Sequence, residues 1–302
     1  MDTSQILVTG AAGLIGHAVC RALTQMGQHC IAIDRDAAVI EGVNVQACDV
    51  TDIHGLHAIA RCAPISGIVH CGAYSGPMVM ADKPVQMINV NLMGTANVLE
   101  LARVIGGVRV VFCSSTSAIG PTPTAMSAED IALNPSSVYG ASKAASEQLV
   151  SAYRRQHGVD GVSLRISWVY GPRRTTSCAI RQMLVDAMAA RPTRLPFGRN
   201  FPRQYIHVDD VVQAIVKALG RRNLPQSAYF ITGGSWLTLS EIGGIVSRIM
   251  PHADIEIGEG VDPLDDWQAQ FDISAARRDL GYTPSMALEG GIRGYRDWLS
   301  TS

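Results

Sequence analysis

The stretch Val8-Thr9-Gly10-Ala11-Ala12-Gly13-Leu14-Ile15-Gly16 limits the fold of this chain more than any other. Its glycines recur at every third position between an apolar strand, Ile6-Leu7-Val8, and a helical pattern over 14–26. In that setting Gly10 permits a sharp turn, Gly13 lets the backbone approach a pyrophosphate, and Gly16 lets helix and strand pack closely. Amides of the helix N-terminus, around Leu14 and Ile15, then face the anion. A plain tight strand-to-helix connection would use the same glycines, so the next strand has to decide. Cys30-Ile31-Ala32-Ile33 ends at Asp34, where a carboxylate can accept from both hydroxyls of an adenosine ribose. The pattern points to a dinucleotide, and Asp34 favours NAD over NADP, although Arg35 beside it offsets part of the repulsion of a 2′-phosphate. Asp49-Val50 follows the third strand and either reaches and covers adenine or forms a turn before Thr51-Asp52.

Predicted strands at 43–45, 68–70, 108–113 and 162–166 alternate with helical patterns over 84–105 and 139–156. A parallel sheet with helices on both faces requires that alternation. The expected fold is α/β, a Rossmann-type doubly wound parallel sheet with a smaller C-terminal substrate-binding lobe. After Gly171-Pro172 the pattern is broken by Pro192, Pro196 and Pro202, then becomes regular again at Tyr205-Ile206-His207-Val208. A strand at 229–231, a helix over 238–250 and an amphipathic stretch over 288–299 follow. The expected division is a dinucleotide-binding domain over 1–170, rejoined by 205–232, and a substrate lobe made of 171–204 and 233–302.

Composition removes several classes of function. With 25 basic and 26 acidic residues and a net charge of −1, nothing suits a nucleic-acid backbone or an anionic membrane surface. No apolar run approaches the ~18 residues of a membrane helix. Met1-Asp2-Thr3-Ser4 enters a strand without a basic, cleavable leader, so a cytoplasmic location is expected. Seven widely spaced cysteines without a Cys-x-x-Cys pair argue for reduced thiols over a disulfide or zinc framework. His54 and His57 beside Asp52 lack a third ligand and read as a surface helix, so no metal is expected. His207 and Asp209-Asp210 read as a strand end and a helix cap, with the carboxylates accepting from first-turn amides.

Tyr139-Gly-Ala-Ser-Lys143 places a phenol and an ammonium on one helix face. A phenol is a poor base at neutral pH, but an adjacent cation favours its phenolate, which can then exchange a proton with a substrate hydroxyl as hydride moves to or from a nicotinamide. Ser114-Ser115-Thr116-Ser117 ends the strand Val110-Val111-Phe112-Cys113, at the sheet edge where open α/β folds bind ligands.

In these motifs the chain resembles the extended short-chain dehydrogenase/reductases, the NAD-dependent epimerase/dehydratase group that includes UDP-galactose 4-epimerase. The resemblance also runs through His70-Cys71-Gly72-Ala73, Asn89 to Thr95, Val169-Tyr170-Gly171-Pro172, Arg203 to Asp210, and Asp272 to Tyr282. It implies that Ser115 and Tyr139 bind the reacting oxygen, with Tyr139 as acid/base, and that Lys143 holds the nicotinamide ribose and favours the phenolate. It implies that Cys71, Gly72, Ala73, Asn91 and Ser114 line the cofactor, and that a homodimer forms through the helices carrying Asn91 and Tyr139.

The reaction is narrowed by residues near the reacting carbon. Dehydratases of the group carry an acidic pair where Thr116-Ser117 stands here, so dehydration is disfavoured. Epimerisation needs oxidation, rotation of the ketone and re-reduction, whereas net dehydrogenation needs the same residues and a releasable cofactor. Arg203, at the position that grips a nucleotide diphosphate in relatives, supports a nucleotide-sugar epimerase. Trp168 in place of the group's usual asparagine, and a 198–203 loop one residue shorter than is common, argue against it. Ser75, with Asp82-Lys83-Pro84, resembles uronate dehydrogenases and favours a small sugar or sugar acid. Arg173-Arg174 either meets a substrate anion or forms a solvent-facing loop pair, and Arg174, Thr116 and Ser117 are carried as candidate substrate contacts. The leading expectation is an epimerase acting on a sugar or nucleotide sugar, followed by a net dehydrogenase of a free sugar or sugar acid. A third reading, a dinucleotide-sensing regulator without turnover, stays open; the usual mark of such relatives is a lost tyrosine or lysine, whereas Tyr139 and Lys143 are both present.

Overall fold

The computed structural model describes residues 4–123, 126–263 and 265–301, which leaves the amino-terminal Met1 to Thr3 outside it. The first part contains, in order, β1 (Gln5–Thr9), α1 (Leu14–Gln25), β2 (Cys30–Asp34), β3 (Ala38–Ile40), β4 (Val43–Ala47), α2 (Ile53–Cys62) and β5 (Ile65–His70). There follow α3 (Pro84–Ile88), a π-helical turn (Asn89–Met93), α4 (Gly94–Val104), β6 (Arg109–Ser115), α5 (Val138–His157) and β7 (Gly161–Ile166). The remainder holds β8 (Trp168–Tyr170), α6 (Ala179–Met188), β9 (Thr193–Leu195), β10 (Pro202–Arg203), β11 (Tyr205–His207), α7 (Val208–Gly220) and β12 (Ala228–Ile231). Last come β13 (Leu237–Thr238), α8 (Leu239–Ile249), β14 (Ile255–Ile257) and α9 (Leu288–Leu299).

Eight strands form the main sheet in the order β12-β7-β6-β5-β1-β2-β4-β3, parallel except for the terminal β3. Alternate residues of the central strands face opposite layers: Leu7 lies in the core shared with α2 and α4, and Val8 in the core shared with α1 and α7. Both are fully buried, worth roughly 1.5–3 kcal/mol each. A third core joins α6, α8 and α9 through Met183, Ile242, Val246 and Ile292. Residues 271–282, assigned by the sequence pattern to the second lobe, instead send Phe271, Leu280 and Tyr282 into the sheet core.

Register brings the site together. Thr9 is level with Ile33 of β2 and His70 of β5, and His70 is level with Phe112 of β6. The loop after β1, Asp34, Cys71 and the serines after Phe112 therefore share one carboxyl edge, around the point where strand order reverses on either side of β1. β8 leaves this sheet and pairs with β11, which carries Trp168 over the edge.

The cap expected at α7 differs in its acceptor. His207 is the N-cap, and its Nδ1 accepts from the Asp209 amide at 3.2 Å. Asp210 is buried and turns away, accepting from the Ser285 amide and hydroxyl at 2.8 Å and from the Met286 amide at 3.1 Å. A carboxylate taken to the foot of the 285–286 loop is unavailable to its own helix. Among the described residues no cluster of His, Cys, Asp and Glu could hold a metal, and no helix is long and apolar enough to cross a membrane. All seven cysteines are free thiols.

Candidate active site

One cleft of about 360 Å³ runs along this edge. At one end is the glycine turn. Gly10 has φ +67°, and a Cβ on it would stand 2.7 Å from the backbone of Cys71 and Gly72. A Cβ on Gly16 would meet the Gly10 carbonyl oxygen at 2.2 Å, so helix and turn touch only because both residues are glycine. Gly13 is the N-cap of α1 and supplies no capping side chain, and Leu14, Ile15 and Gly16 line the cleft. Asp34 also lines it; its Oδ2 accepts from the Ala12 amide at 3.0 Å and its Oδ1 from the Arg35 amide at 2.7 Å. The carboxylate thus orders the turn and faces the cleft.

Under the turn lies a fully connected polar pair of strands. Thr9 Oγ1 accepts from the Gly72 amide at 3.0 Å and lies 2.7 Å from His70 Nδ1. His70 Nε2 lies 3.1 Å from Thr95 Oγ1, which donates to the Asn91 carbonyl at 2.6 Å. Only a neutral ring protonated on Nε2 satisfies every member. Burial, with the Lys143 charge nearby, holds the His70 imidazole down to about 3.

The opposite end carries the candidate chemistry. Tyr139 and Lys143 follow the N-cap Ser137 of α5, whose Oγ accepts from the Gly140 amide at 3.1 Å. Lys143 is buried, donates to the Cys113 carbonyl at 2.9 Å, and stands 5.9 Å from the centre of the Tyr139 ring and 4.9 Å from that of Phe112. Ser115 Oγ donates to Ser117 Oγ at 3.2 Å and accepts from the Ser117 amide. Ser114 points the other way, donating at 2.5 Å to Glu147, which is held by Arg165 at 2.9 Å. The Cys71 and Cys113 thiols lie 3.4 Å apart in the cleft wall, and their hydrogen bond, with burial, pushes Cys71 up.

Of the residues singled out from sequence, the cleft brings together Gly10, Gly13, Leu14, Ile15, Gly16, Asp34, Cys71, Gly72, Ala73, Ser75, Ser114, Ser115, Thr116, Ser117, Tyr139, Lys143 and Arg174. Arg35, Asp49, Val50, Asn91 and Arg203 are not in its lining. Arg35 pairs with Asp36 at 2.9 Å on the surface. Asp49 accepts from the Thr51 amide and hydroxyl, both at 2.8 Å, making the turn that was its alternative. Val50 is buried against Gly72 and Gly94. Asn91, at the π-helical turn, clamps the Tyr74 backbone at 2.8 and 3.1 Å and donates to Ser142 of α5 at 3.0 Å. Arg203 lies behind Trp168, paired with Asp262 and Asp265.

Sequence reading missed Tyr74, residues 76–79, the Ile166, Ser167 and Val169 neighbours of Trp168, Thr175 and Thr176, all of which line the cleft. The rule that ligands lie beyond the carboxyl ends of strands, extended past β5 and β7, would have found the first three groups.

The model of the NAD dependent epimerase/dehydratase family matches residues 6–231. The chain is 30% identical to a UDP-glucose 4-epimerase of Mycolicibacterium smegmatis, covering 95% of each. It is 26% identical to UDP-glucuronate 4-epimerase 3 of Arabidopsis thaliana, covering 97% of this chain and 76% of that one. A crystal structure of Thermus thermophilus UDP-glucose 4-epimerase in complex with NAD superposes with a TM-score of 0.88 at 28% identity, over 98% of this chain and 99% of that one.

Proposed function

Because the chain belongs to the NAD dependent epimerase/dehydratase family, we propose that it is an NAD-using enzyme that inverts a secondary alcohol carbon of a carbohydrate through a keto intermediate. One observation carries the reading: a glycine turn, a ribose-ready carboxylate and a Ser-Tyr-Lys set line a single cleft. The residues fit the cofactor. Side-chain-free Gly10, Gly13 and Gly16 leave room at an uncapped helix N-terminus for a pyrophosphate, and Asp34 suits a ribose diol. When bound, NAD supplies a hydride acceptor and, for the return step, its donor.

In this reading Tyr139 removes the proton of the substrate hydroxyl at its phenol oxygen as hydride leaves the carbon. The Lys143 ammonium lies alongside, 5.9 Å from the centre of the Tyr139 ring. Ser115 turns its hydroxyl from Ser117 to the same substrate oxygen and stabilises the charge that develops there. Rotation of the ketone presents its other face, and Tyr139 returns the proton to the same oxygen. Net dehydrogenation uses the same residues. Ser75, exposed on the cleft rim, keeps it as the second reading, because a small acid or polyol can reach it.

We further assign the dinucleotide to residues 1–170 with 205–232, to which the 271–282 segment adds its packing in the sheet core, and the carbohydrate to 171–204 with the rest of 233–302. A homodimer through α3, α4 and α5 would cover the exposed Val85, Ile88, Met93 and Val138. The deciding experiment follows absorbance of reduced nicotinamide and product stereochemistry together, over sugars, sugar acids and nucleotide sugars. Inversion without accumulating NADH supports the epimerase. Stoichiometric NADH would replace it with the dehydrogenase, and neither with any carbohydrate would refute both.

A further inference from the structure

The relatives named above make a nucleotide-linked sugar the obvious substrate. Resting on the reading of the previous subsection, we propose that this enzyme instead takes a carbohydrate bearing no nucleoside diphosphate, because its own side chains fill and neutralise the space beyond the catalytic hydroxyls.

A diphosphate brings at least two negative charges and, away from a helix N-terminus such as the one behind the glycine turn, is met by guanidinium or ammonium donors with open positions. Among the described residues, Lys143 and Arg174 are the only Lys or Arg in the cleft lining. Lys143 is committed to the Cys113 carbonyl, beside Tyr139. Arg174 turns both terminal nitrogens back to the chain, one to the Val169 carbonyl and the other to the Ser177 carbonyl at 2.8 Å.

A third cation stands near but is buried and ion-paired. The Arg203 side chain is 5% exposed, lies 4.2 Å from the centre of the Trp168 ring, and pairs with Asp262 and, at 3.3 Å, with Asp265. Burial pushes Asp265 up to about 6 against the pull of Arg203. The Arg203 guanidinium is thus held between the carboxyl groups of Asp262 and Asp265 and offers an incoming anion no free cation.

Space agrees with charge. Behind Trp168, bounded by Thr116, Ser167, Arg203, Asp265 and Gln268, is a void of about 10 Å³, room for one water. Gln268 ties its far wall to the catalytic strand, donating to the Thr116 and Gly120 carbonyls at 2.9 Å each. Trp236 donates to the Gln268 carbonyl at 2.9 Å and fastens the same segment from outside. What remains open in front of Trp168 is lined by the hydroxyl residues Ser75, Ser117, Thr175 and Thr176, chemistry that suits an unlinked polyhydroxylated molecule.

The test titrates the full-length, NAD-loaded protein with UDP and with UDP-glucose by calorimetry, and assays turnover of UDP-hexoses against free aldoses and sugar acids. The expected result is no binding of either nucleotide below the millimolar range and turnover of a free carbohydrate only. Micromolar binding of UDP, or turnover of a UDP-hexose, overturns the proposal. Absence of all turnover together with absence of UDP binding would sink the enzymatic reading and leave this exclusion standing. The double variant Trp168→Asn/Asp262→Ala, checked for its native circular dichroism, is expected to bind UDP at least about tenfold more tightly than the parent. A folded double variant with unchanged affinity would remove the cluster as the cause and the inference with it.

Discussion

Replacing Asp34 by alanine separates two roles that the structure joins in one carboxylate. The first is local: Oδ2 holds the Ala12 amide at 3.0 Å, and losing it orphans a donor in the turn. That costs ~1 kcal/mol, about fivefold in affinity for any dinucleotide. The second is specific to an unmodified ribose. Hydrogen bonds to an ionised acceptor are worth ~1.5–3 kcal/mol each, so losing even one takes a further tenfold or more from NAD. NADP has no such bonds to lose and gains by removal of a negative charge facing its 2′-phosphate. Arg35, paired with Asp36 at the surface, is present in parent and variant alike and drops out of the comparison between them. The Asp34→Ala protein should therefore bind NAD about 100-fold more weakly, while NADP changes by less than about tenfold. Titration calorimetry with both cofactors reads this directly, and the ratio of the two dissociation constants should move at least tenfold towards NADP. A ratio within twofold of the parent's, even with both affinities reduced, would leave Asp34 as a turn-ordering residue alone and refute the ribose assignment.

Tyr139→Phe should lower turnover by about 10²–10⁴ while NAD affinity, read by calorimetry, stays within a few fold; appreciable remaining rate would displace Tyr139 from proton transfer. Gly16→Ala should abolish NAD binding, because its Cβ would sit 2.2 Å from the Gly10 carbonyl oxygen; a variant retaining parental affinity would show that the turn does not bind the cofactor. His70 gives a pH dependence of defined sign. Its folded value, about 3, lies below the ordinary 6.5, so its stabilisation is complete above pH 6.5 and is lost as pH falls towards 3. Between pH 6.5 and 4 the loss is at most ~3 kcal/mol. His70→Gln, which keeps a donor and an acceptor, should show a shallower fall in urea midpoint over that range, and parallel profiles would contradict the assignment.

What could be read in the sequence was set by contacts that only one residue type allows. No side chain fits where the Gly10 and Gly16 backbones meet their neighbours, so the glycine spacing had one economical explanation. The Tyr139–Lys143 spacing was legible because a helix alone determines it. Charges were not. Nothing near Arg203 in sequence announces Asp262 and Asp265, which meet it only through the fold and turn an expected phosphate ligand into a neutralised, stacked side chain. Asp210 was misjudged similarly: first-turn propensity favours a cap, but the 285–286 loop offers three donors to the same carboxylate. Asn91 lay in a motif whose position was readable, while its clamp on the Tyr74 backbone depends on a tertiary approach.

That clamp makes the rim of the cleft and the tyrosine-bearing helix a single mechanical unit. One amide side chain bonds the Tyr74 backbone in both directions and also reaches Ser142, which donates to the Tyr139 carbonyl at 2.7 Å. Slow-exchanging protons should record it: the Tyr74 amide ought to share the protection of the first turns of α5 and open with them as one cooperative block, unlike an ordinary surface loop.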